Sequence, residues 1–415
     1  MCIRDRNYRR IDANDAVDTE VFIRADARGF LGADPTDEAL EFERATMSDR
    51  RNVGVFEHAT PRGTWPVATI NAWVTPMTVP GGELSMWAIS AVTVAGTHRR
   101  RGIARAMLEG ELRAAANAGV PVAGLTVSEA TLYGRYGFGM AVPMQRFRID
   151  TRRAGWAGGE TTGRIEYIDR PRLSADLGAM HEIARTQRSG EIAGWPNRWE
   201  RMAGLAPGDT NGAGVRGVRY VDASGSSRGV MAFRLKEIEG SFRHELSIHH
   251  LAAQTPEALR ALWKFALQHD LVDQVTAPLR PSDDPLRALV ADQRGIEQVV
   301  HDHGWLRILD VATVLRARTY SAEVDLTLTV TDPLGIAAGT WRLRASTGGQ
   351  GEVEAVETAT AGVTLSVRDL SAIYAGGVRV TQLAAAGVLV ADGEAITALD
   401  RAFFASPAAA LSIWF

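Results

Sequence analysis

The stretch that decides the fold is SAVTVAGTHRRRGIARAML, residues 90–108. In its first part Val92 and Val94 alternate with smaller residues, a pattern that predicts a strand. Residues 105–118 are rich in Ala, Leu, Glu and Arg, with apolar residues at helical spacing, and predict a helix. A short turn with three consecutive arginines and Gly102 separates the two elements.

This strand, turn and helix together predict an anion-binding cradle. The first N–H groups of a helix have no intrahelical partners, and the helix dipole is positive at that end. Gly102 has no side chain, so a ligand can approach the backbone closely. The predicted anion is a phosphate or a pyrophosphate. The alternative is a solvated run of arginines on an ordinary loop.

The order of these residues narrows the choice of anion. A Val-x-Val strand followed by Arg-Arg-x-Gly-Ile/Leu-Ala/Gly resembles the acetyl-CoA pyrophosphate motif of the GNAT N-acetyltransferases. Residues 99–104 of this chain fit that motif. The resemblance implies that the cradle binds acetyl-CoA.

A second GNAT-like motif is PVAGLTVSEATLYGRYGF, residues 121–138. It reads as a strand followed by Tyr-x-x-x-Gly-Phe, whose tyrosine lies near the thioester sulfur in GNAT enzymes. A phenol has a pKa of about 10, so it stays protonated and can donate to a departing thiolate. Tyr133 is therefore the candidate general acid. The alternative is a tyrosine that packs a helix onto the sheet, as we expect of Tyr136 and Phe138.

Length and composition exclude several classes of protein. A chain of 415 residues is too long for one typical domain, so two or three are expected. The net charge of −3 gives no general attraction to nucleic acid. A single cysteine, Cys2, excludes an intramolecular disulfide and a cysteine-only metal site. The chain has no apolar run of the roughly 18 residues that span a membrane and no apolar signal-peptide core. We therefore expect no nucleic-acid or membrane partner and a cytoplasmic location.

The order of predicted elements divides the chain into three domains. Residues 1–150 follow the GNAT pattern. Within residues 151–303, the segment 245–269 repeats the strand, turn and helix of residues 88–118, but its turn has neither an arginine pair nor a glycine. We interpret this domain as a second, degenerate GNAT fold that cannot hold CoA. Residues 304–415 resemble a sterol-carrier-like domain. The predicted fold class is thus α/β (α+β): tandem GNAT folds followed by a sterol-carrier-protein-like domain.

The histidines do not predict a metal site. His249 and His250 are adjacent on a predicted strand, so their side chains face opposite sides of the sheet. His301 and His303 have no third ligand nearby in the sequence. We expect no metal.

The three domains in this order resemble the Eis (enhanced intracellular survival) family of N-acetyltransferases, over nearly the full length after the first ten residues. The resemblance is sharpest at residues 97–102, at residues 128–129 with 133–137, and at residues 304–308. It implies acetyl-CoA as co-substrate and a homohexamer. It also implies a small-molecule substrate with several amines, aminoglycosides among them.

The family resemblance also implies roles for individual residues. Backbone groups of residues 92–94 would bind the pantetheine, residues 100–105 would hold the pyrophosphate, and residues 128 and 129 would border the CoA site. The implied cofactor-binding residues are Val92, Thr93, Val94, Arg100, Arg101, Gly102, Ile103, Ala104, Arg105, Ser128 and Glu129. Family substrate pockets are acidic, and the candidate acids here are Asp34, Asp37 and Glu38.

The last residue receives a role from the same resemblance. In Eis-like enzymes the C-terminal carboxylate enters the N-terminal active site as general base, and here that residue is Phe415. An apolar tail is unusual for a terminus, which is normally polar and mobile. The alternative is that residues 413–415 finish the last strand.

Two functions remain open at this point. The first is an amine N-acetyltransferase that works by direct transfer, with Tyr133 as acid and Phe415 as base. The second is a non-enzymatic lipid- or partner-binding protein that acts through the sterol-carrier-like domain. The intact cradle and Tyr133 favour the first.

Overall fold

A computed structural model describes residues 6–57, 60–357 and 362–415. The first elements in chain order are β1 (Arg6–Arg10), α1 (Ala16–Gly29), α2 (Asp37–Arg44), β2 (Arg51–Glu57), β3 (Ala68–Val79), β4 (Gly82–Val94), α3 (Ile103–Asn117), β5 (Val122–Thr126), α4 (Ala130–Tyr133) and β6 (Gly139–Asp150). The next are α5 (Thr151–Ala154), β7 (Arg164–Ile168), α6 (Arg170–Arg185), α7 (Pro196–Met202), β8 (Val215–Val221), β9 (Ser227–Glu237), β10 (His244–Ala253), α8 (Pro256–Leu267), β11 (Val272–Arg280) and β12 (Ile296–Ile308). The last are α9 (Val311–Ala317), β13 (Val324–Thr331), β14 (Gly339–Ala345), β15 (Glu352–Ala355), β16 (Val363–Ser366), α10 (Val367–Tyr374), α11 (Val380–Ala385) and α12 (Gly393–Phe403).

These elements belong to two compact units. The first unit consists of Met1–Ala141, Gly304–Phe404 and Phe415. The second consists of Val142–His303 and Ala405–Trp414. The terminal residue is therefore assigned to a different unit from the ten residues that precede it.

The first unit contains a sheet in which β1 to β5 follow chain order and the end of β12 lies beside β5. The β4–β5 pair is parallel, with α3 as the crossover, and the other pairs are antiparallel. Met107, Leu108, Leu112 and Ala115 recur at helical spacing on α3 and are buried in the core beside the sheet. This burial fixes the face that α3 presents to β4 and β5.

β4 contains a β-bulge that redirects its end. The register of β4 against β3 shifts between Thr69 and Asn71, which leaves an extra residue in β4. Ala91 lies at this point and has φ of 54°, in the left-handed region that a side chain disfavours. β4 pairs with β5 only over Met86–Ala88, so the two parallel strands part beyond residue 88.

A second sheet in the first unit has four strands in the order β15-β14-β13-β16. β13 is antiparallel to β14 and parallel to β16. α10 begins with a capping box between Ser366 and Asp369, which satisfies N–H groups that would otherwise lack partners. The side chains that fill this part of the unit are almost fully buried: Leu328, Leu343, Leu365, Leu370, Ile373, Tyr374, Leu399 and Phe403.

A buried ion pair joins β12 to the loop after β13. Arg307 Nη2 lies 2.7 Å from Asp332 Oδ2, and both side chains are fully buried. Arg307 Nε also donates to the carbonyl oxygen of Tyr136 at 2.7 Å. Gly137 has φ of 86°, and a Cβ there would lie 2.6 Å from Arg307 Nε, so no other residue fits without displacing the guanidinium.

The second unit contains a sheet with the strand order β6-β11-β10-β9-β8-β7. β10 and β11 are parallel neighbours joined by α8, and the other pairs are antiparallel. Leu262, Trp263 and Ala266 of α8 are fully buried in the core of this unit. The strand, helix and parallel strand of the first unit thus recur here, as the internal repeat predicted. Among the described residues, no helix is long and apolar enough to cross a membrane.

Candidate active site

The parting of β4 and β5 creates a slot in the first unit. Val92, Thr93 and Val94 lie beyond the last β4–β5 pair, while their other edge still pairs with β3. The Thr93 side chain is buried, and its Oγ1 lies 2.6 Å from Thr69 Oγ1. The backbone of residues 92–94 can therefore bind an extended ligand along the slot, as the resemblance implies for pantetheine.

The start of α3 has the features of an anion cradle. Gly102 is the N-cap residue with φ of 77°, and no side chain caps the helix. A Cβ at Gly102 would meet nothing within 4 Å, so the space beside the turn is open. Arg100 and Arg101 are exposed on this turn. Uncapped N–H groups and exposed guanidinium groups fit a pyrophosphate.

The remaining residues of the cradle divide into two kinds. The Ile103 side chain is buried in the core, so this residue can bind an anion only through its backbone N–H. Ala104 is half-buried in the first turn of α3. Arg105 is exposed and forms an ion pair with Glu109 at 2.8 Å. An arriving phosphate would therefore compete with Glu109 for the Arg105 guanidinium.

Tyr133 ends α4 and is only 5% exposed. Its ring meets Phe138 edge to face, with ring centroids 6.1 Å apart. Burial raises the pKa of the Tyr133 hydroxyl, and a hydrogen bond with the Ser128 side chain partly opposes this. The phenol therefore stays protonated at neutral pH, which a general acid requires. Ser128 and Glu129 are exposed just before α4.

The terminal residue Phe415 lies at the end of β5. Its backbone N–H donates to Thr126 Oγ1 at 3.3 Å, and Thr126 Oγ1 donates to a terminal oxygen of Phe415. Its ring meets Trp73 edge to face, with centroids 5.7 Å apart. Residues 413–415 belong to no strand, so the alternative that they finish the last strand is wrong. Thr126 precedes Ser128 by two residues, so the strand that holds Phe415 leads directly into the Tyr133 segment.

The sequence analysis missed an acidic pair in the first unit, Asp26 on α1 and Glu43 on α2. Burial and the charge of Glu43 raise the pKa of Asp26 to about 7. Asp26 Oδ1 is buried and has no hydrogen-bond partner. Of the acids that the sequence suggested, Asp34 forms an ion pair with Arg24 at 2.7 Å. The amphipathic pattern of α1 predicts that Asp26 lies on a helix, but it contains no signal that the charge of Glu43 acts on it.

Arg50 connects this acidic pair to the terminal residue. Its guanidinium lies 3.8 Å from the centre of the Trp73 ring, which in turn contacts Phe415. Burial lowers the pKa of Arg50 to about 10, and the charge of Glu43 opposes this. A line of charged and aromatic side chains thus runs from the acids of α1 and α2 to the C-terminus.

Family models match three stretches of the chain. Residues 8–141 match an acetyltransferase (GNAT) domain, residues 190–308 a second GNAT domain, and residues 311–412 a sterol carrier protein domain. The fold is therefore two GNAT domains followed by a sterol-carrier-like domain.

Several known proteins are similar to this chain over most of its length. An uncharacterized N-acetyltransferase of Streptomyces griseus is 34% identical over 87% of this chain and 88% of its own length. N-acetyltransferase Eis of Mycobacterium tuberculosis is 31% identical over 79% of this chain and 80% of its own. The crystal structure of Eis1 from Mycobacterium abscessus matches with a TM-score of 0.82 and 28% identity, over 99% of this chain and 100% of that one. This chain belongs to the Eis family of N-acetyltransferases.

The second GNAT domain of this Eis-family enzyme differs from the first at its slot. β10 and β11 pair only as far as Ser247 and Thr276, so they also part. Here, however, Arg280 Nη1 donates to the carbonyl oxygen of Leu251 at 2.9 Å. Asp284 fixes the same guanidinium through Nε at 2.7 Å. A side chain therefore bridges the two strands at the place where the first domain is open.

No described part of the Eis-family chain groups three or more His, Cys, Asp or Glu side chains as a metal ion would require. His250 is buried, and its ring lies 5.8 Å from His181 and 5.7 Å from Trp199, measured between ring centroids. Burial holds the pKa of His250 well below its usual value. This histidine is a neutral member of an aromatic cluster.

Proposed function

We propose that the chain transfers an acetyl group from acetyl-CoA directly to an amine of a multi-amine substrate: an aminoglycoside, a polyamine or a lysine side chain. The observation that carries the proposal is the place of the Phe415 carboxylate. It is bound by Thr126 at the end of β5, and β5 leads through Ser128 to Tyr133. The proposed base is held at the end of β5, and the proposed acid lies on the helix that follows this strand. Such a pair suits a reaction in which one proton is removed and another is delivered.

The two groups have complementary tasks. The Phe415 carboxylate accepts a proton from the substrate amine, directly or through water, and the amine nitrogen forms a bond to the thioester carbonyl carbon. As the carbon–sulfur bond breaks, the Tyr133 hydroxyl gives its proton to the leaving sulfur. The high pKa of Tyr133 keeps that proton in place until the thiolate develops.

The acidic pair Asp26 and Glu43 supports a substrate with more than one amine. The unpartnered Oδ1 of Asp26 is a costly buried acceptor, and a protonated amine would satisfy it. An ammonium group there would also favour the ionised carboxylate, because an opposite charge lowers a carboxyl pKa. Arg50 and Trp73 link this position to Phe415.

In this proposal the acetyl donor binds to the first domain, at residues 92–94, 100–105, 128 and 129. The second domain binds no acetyl donor. The domain limits 1–150, 151–303 and 304–415 are part of the proposal. So are a homohexamer and a cytoplasmic location, which rest on the family resemblance. Membership in a family of N-acetyltransferases favours this function over non-enzymatic lipid or partner binding.

Release of free CoA thiol in the presence of a panel of amines tests the function. The panel contains an aminoglycoside, spermidine, a lysine peptide and benzylamine as a monoamine control. We expect at least one of the first three substrates to be turned over faster than benzylamine. Its rate should also exceed the hydrolysis of acetyl-CoA without an amine. Equal, background release with all of them would reject the proposal.

A further inference from the structure

A single side chain binds both polar ends of the terminal residue. The Phe415 N–H donates to Thr126 Oγ1 at 3.3 Å, and the hydroxyl hydrogen of Thr126 points to a terminal oxygen of the same residue. A hydroxyl has one donor and two acceptor positions, so both hydrogen bonds can exist at once. The hydroxyl thus forms a small hydrogen-bonded ring with the N–H, the Cα and the carboxylate of Phe415.

Thr126 is well placed to hold a group still. It is the last residue of β5, and its backbone is in register with Gly304 of β12. Its branched β-carbon restricts the rotation of the side chain. A hydroxyl on this residue is therefore fixed by the sheet and not by a flexible loop.

The ring of Phe415 is fixed by a separate contact. Its edge meets Trp73 on β3, and the Arg50 guanidinium lies over the Trp73 ring at 3.8 Å. This ring contact holds the side chain of Phe415 and involves no atom of its carboxylate. It leaves the orientation of the carboxylate to Thr126.

We propose that Thr126 is a positioning residue, which orients the terminal carboxylate of Phe415 for proton transfer. The inference rests on the proposed function, in which that carboxylate is the base. A neutral hydroxyl suits the task, since a cationic partner would form a strong ion pair and weaken the carboxylate as a base. Misplacement of a catalytic group by about 1 Å costs up to about 100-fold in rate, so a lost hydroxyl has a measurable effect.

Three substitutions separate orientation from structure. Thr126→Val keeps the size and branching and removes the hydroxyl, whereas Thr126→Ser keeps the hydroxyl. Thr397→Val, on α12, is the matched control, because the Thr397 hydroxyl donates to the carbonyl oxygen of Gly393, outside the proposed site. Should Thr126→Val fail to fold, Thr126→Cys takes its place, with a thiol that is only a weak donor.

We expect Thr126→Val to lower kcat about 10- to 100-fold with an unchanged KM for acetyl-CoA, and Thr126→Ser to restore most of the rate. The acid limb of the kcat/KM profile should move to higher pH in Thr126→Val, because the ionised carboxylate loses a donor. Thr397→Val should behave as the wild type. A full rate and an unshifted profile in folded Thr126→Val would overturn the inference.

Extension of the chain beyond Phe415 distinguishes this failure from failure of the proposed function. If the extended enzyme is inactive while Thr126→Val is fully active, the carboxylate is the base and Thr126 does not position it. If the extended enzyme is fully active, the carboxylate is not the base and both assignments fall.

Discussion

The guanidinium of Arg280 donates a hydrogen bond to the backbone carbonyl of Leu251, at 2.9 Å, in the second GNAT domain. Both residues lie beyond the last pair of the two parallel strands that carry them. Arg280 is 7% exposed, and Asp284 holds it in place. The Leu251 carbonyl oxygen thus already accepts a hydrogen bond from Arg280, at a position where an extended ligand would need a free backbone acceptor.

This difference between the two domains predicts how many CoA molecules each chain binds. We expect calorimetric titration of the full chain with CoA to give one site per chain, in the first domain. The turn before α8 supplies no arginine and no glycine, so nothing there replaces the cradle of α3. Two sites of similar affinity would contradict the assignment of the second domain as degenerate.

The cradle predicts a loss of CoA affinity on removal of its arginines. Charge-assisted hydrogen bonds contribute about 1.5–3 kcal/mol each, so Arg100→Ala combined with Arg101→Ala should weaken CoA binding by several kcal/mol. Arg113→Ala, on the far end of α3, is the control and should leave the affinity unchanged. Unaltered CoA binding by calorimetry in a folded double variant would remove the cradle from the site.

Much of the fold is predictable from local patterns. The periodicity of residues 105–118 predicts a helix, and the structure has a helix at Ile103–Asn117. The pattern does not predict β11, because in its sequence VDQVTAPLR the apolar and polar residues do not alternate regularly.

The candidate site is only partly predictable from sequence. The strand and the glycine turn of the proposed CoA site are predictable, since those residues are close in sequence. The pairing of Asp26 with Glu43 and of Thr126 with Phe415 depends on tertiary structure, and the second pair is 289 residues apart. Spacing contains no trace of such contacts.

Acid sensitivity should follow from His303, which is fully buried. Burial lowers its pKa to about 4 from an ordinary value of 6.5, and a hydrogen bond to the Ile413 carbonyl partly opposes this. The unfolded chain binds a proton as the pH falls through 6.5, whereas the folded chain does not until about 4. The contribution of His303 to the free energy of unfolding is therefore fully present above pH 6.5. It falls by about 3 kcal/mol in total as the pH decreases from 6.5 to 4.

His303→Gln removes the titrating ring and retains an amide donor for Ile413. Urea unfolding at pH 7.5 and 5.5 should show a smaller loss of stability in the variant than in the wild type, by about 1 kcal/mol. If both proteins lose the same free energy of unfolding between pH 7.5 and 5.5, another group causes the acid sensitivity.

Asp26 should act in the opposite direction. Its folded pKa of about 7 exceeds the ordinary value of 3.8, so the carboxyl destabilises the fold progressively as the pH rises from about 4 to 7. Asp26→Asn should therefore raise the melting temperature relative to the wild type at pH 8 and not at pH 4.5. The same variant should raise KM for spermidine about tenfold or more and leave KM for benzylamine unchanged, since it loses a charged acceptor.

Asp34→Asn is the control for this experiment, because Asp34 is exposed and paired with Arg24. It should change neither the melting temperature at pH 8 nor KM. If Asp34→Asn and Asp26→Asn have equal effects on KM for spermidine, the acidic pair does not recognise the second amine.

The last prediction concerns the proposed acid and base together. Tyr133→Phe removes only the phenolic hydroxyl, the proposed proton donor, so the rate should fall by about 10²–10⁴ with little change in CoA binding. Extension beyond Phe415 by a few glycines converts the carboxylate to an amide and should cost a comparable factor at an unchanged melting temperature. The control is Phe415→Leu, which keeps the terminal carboxylate and should retain far more activity than the extended chain. Both changes together should cost less than the product of their separate effects, because groups that act in one step are not additive. Full activity in the extended enzyme would exclude Phe415 as the base and leave a water chain or a side chain such as Glu129 to accept the proton.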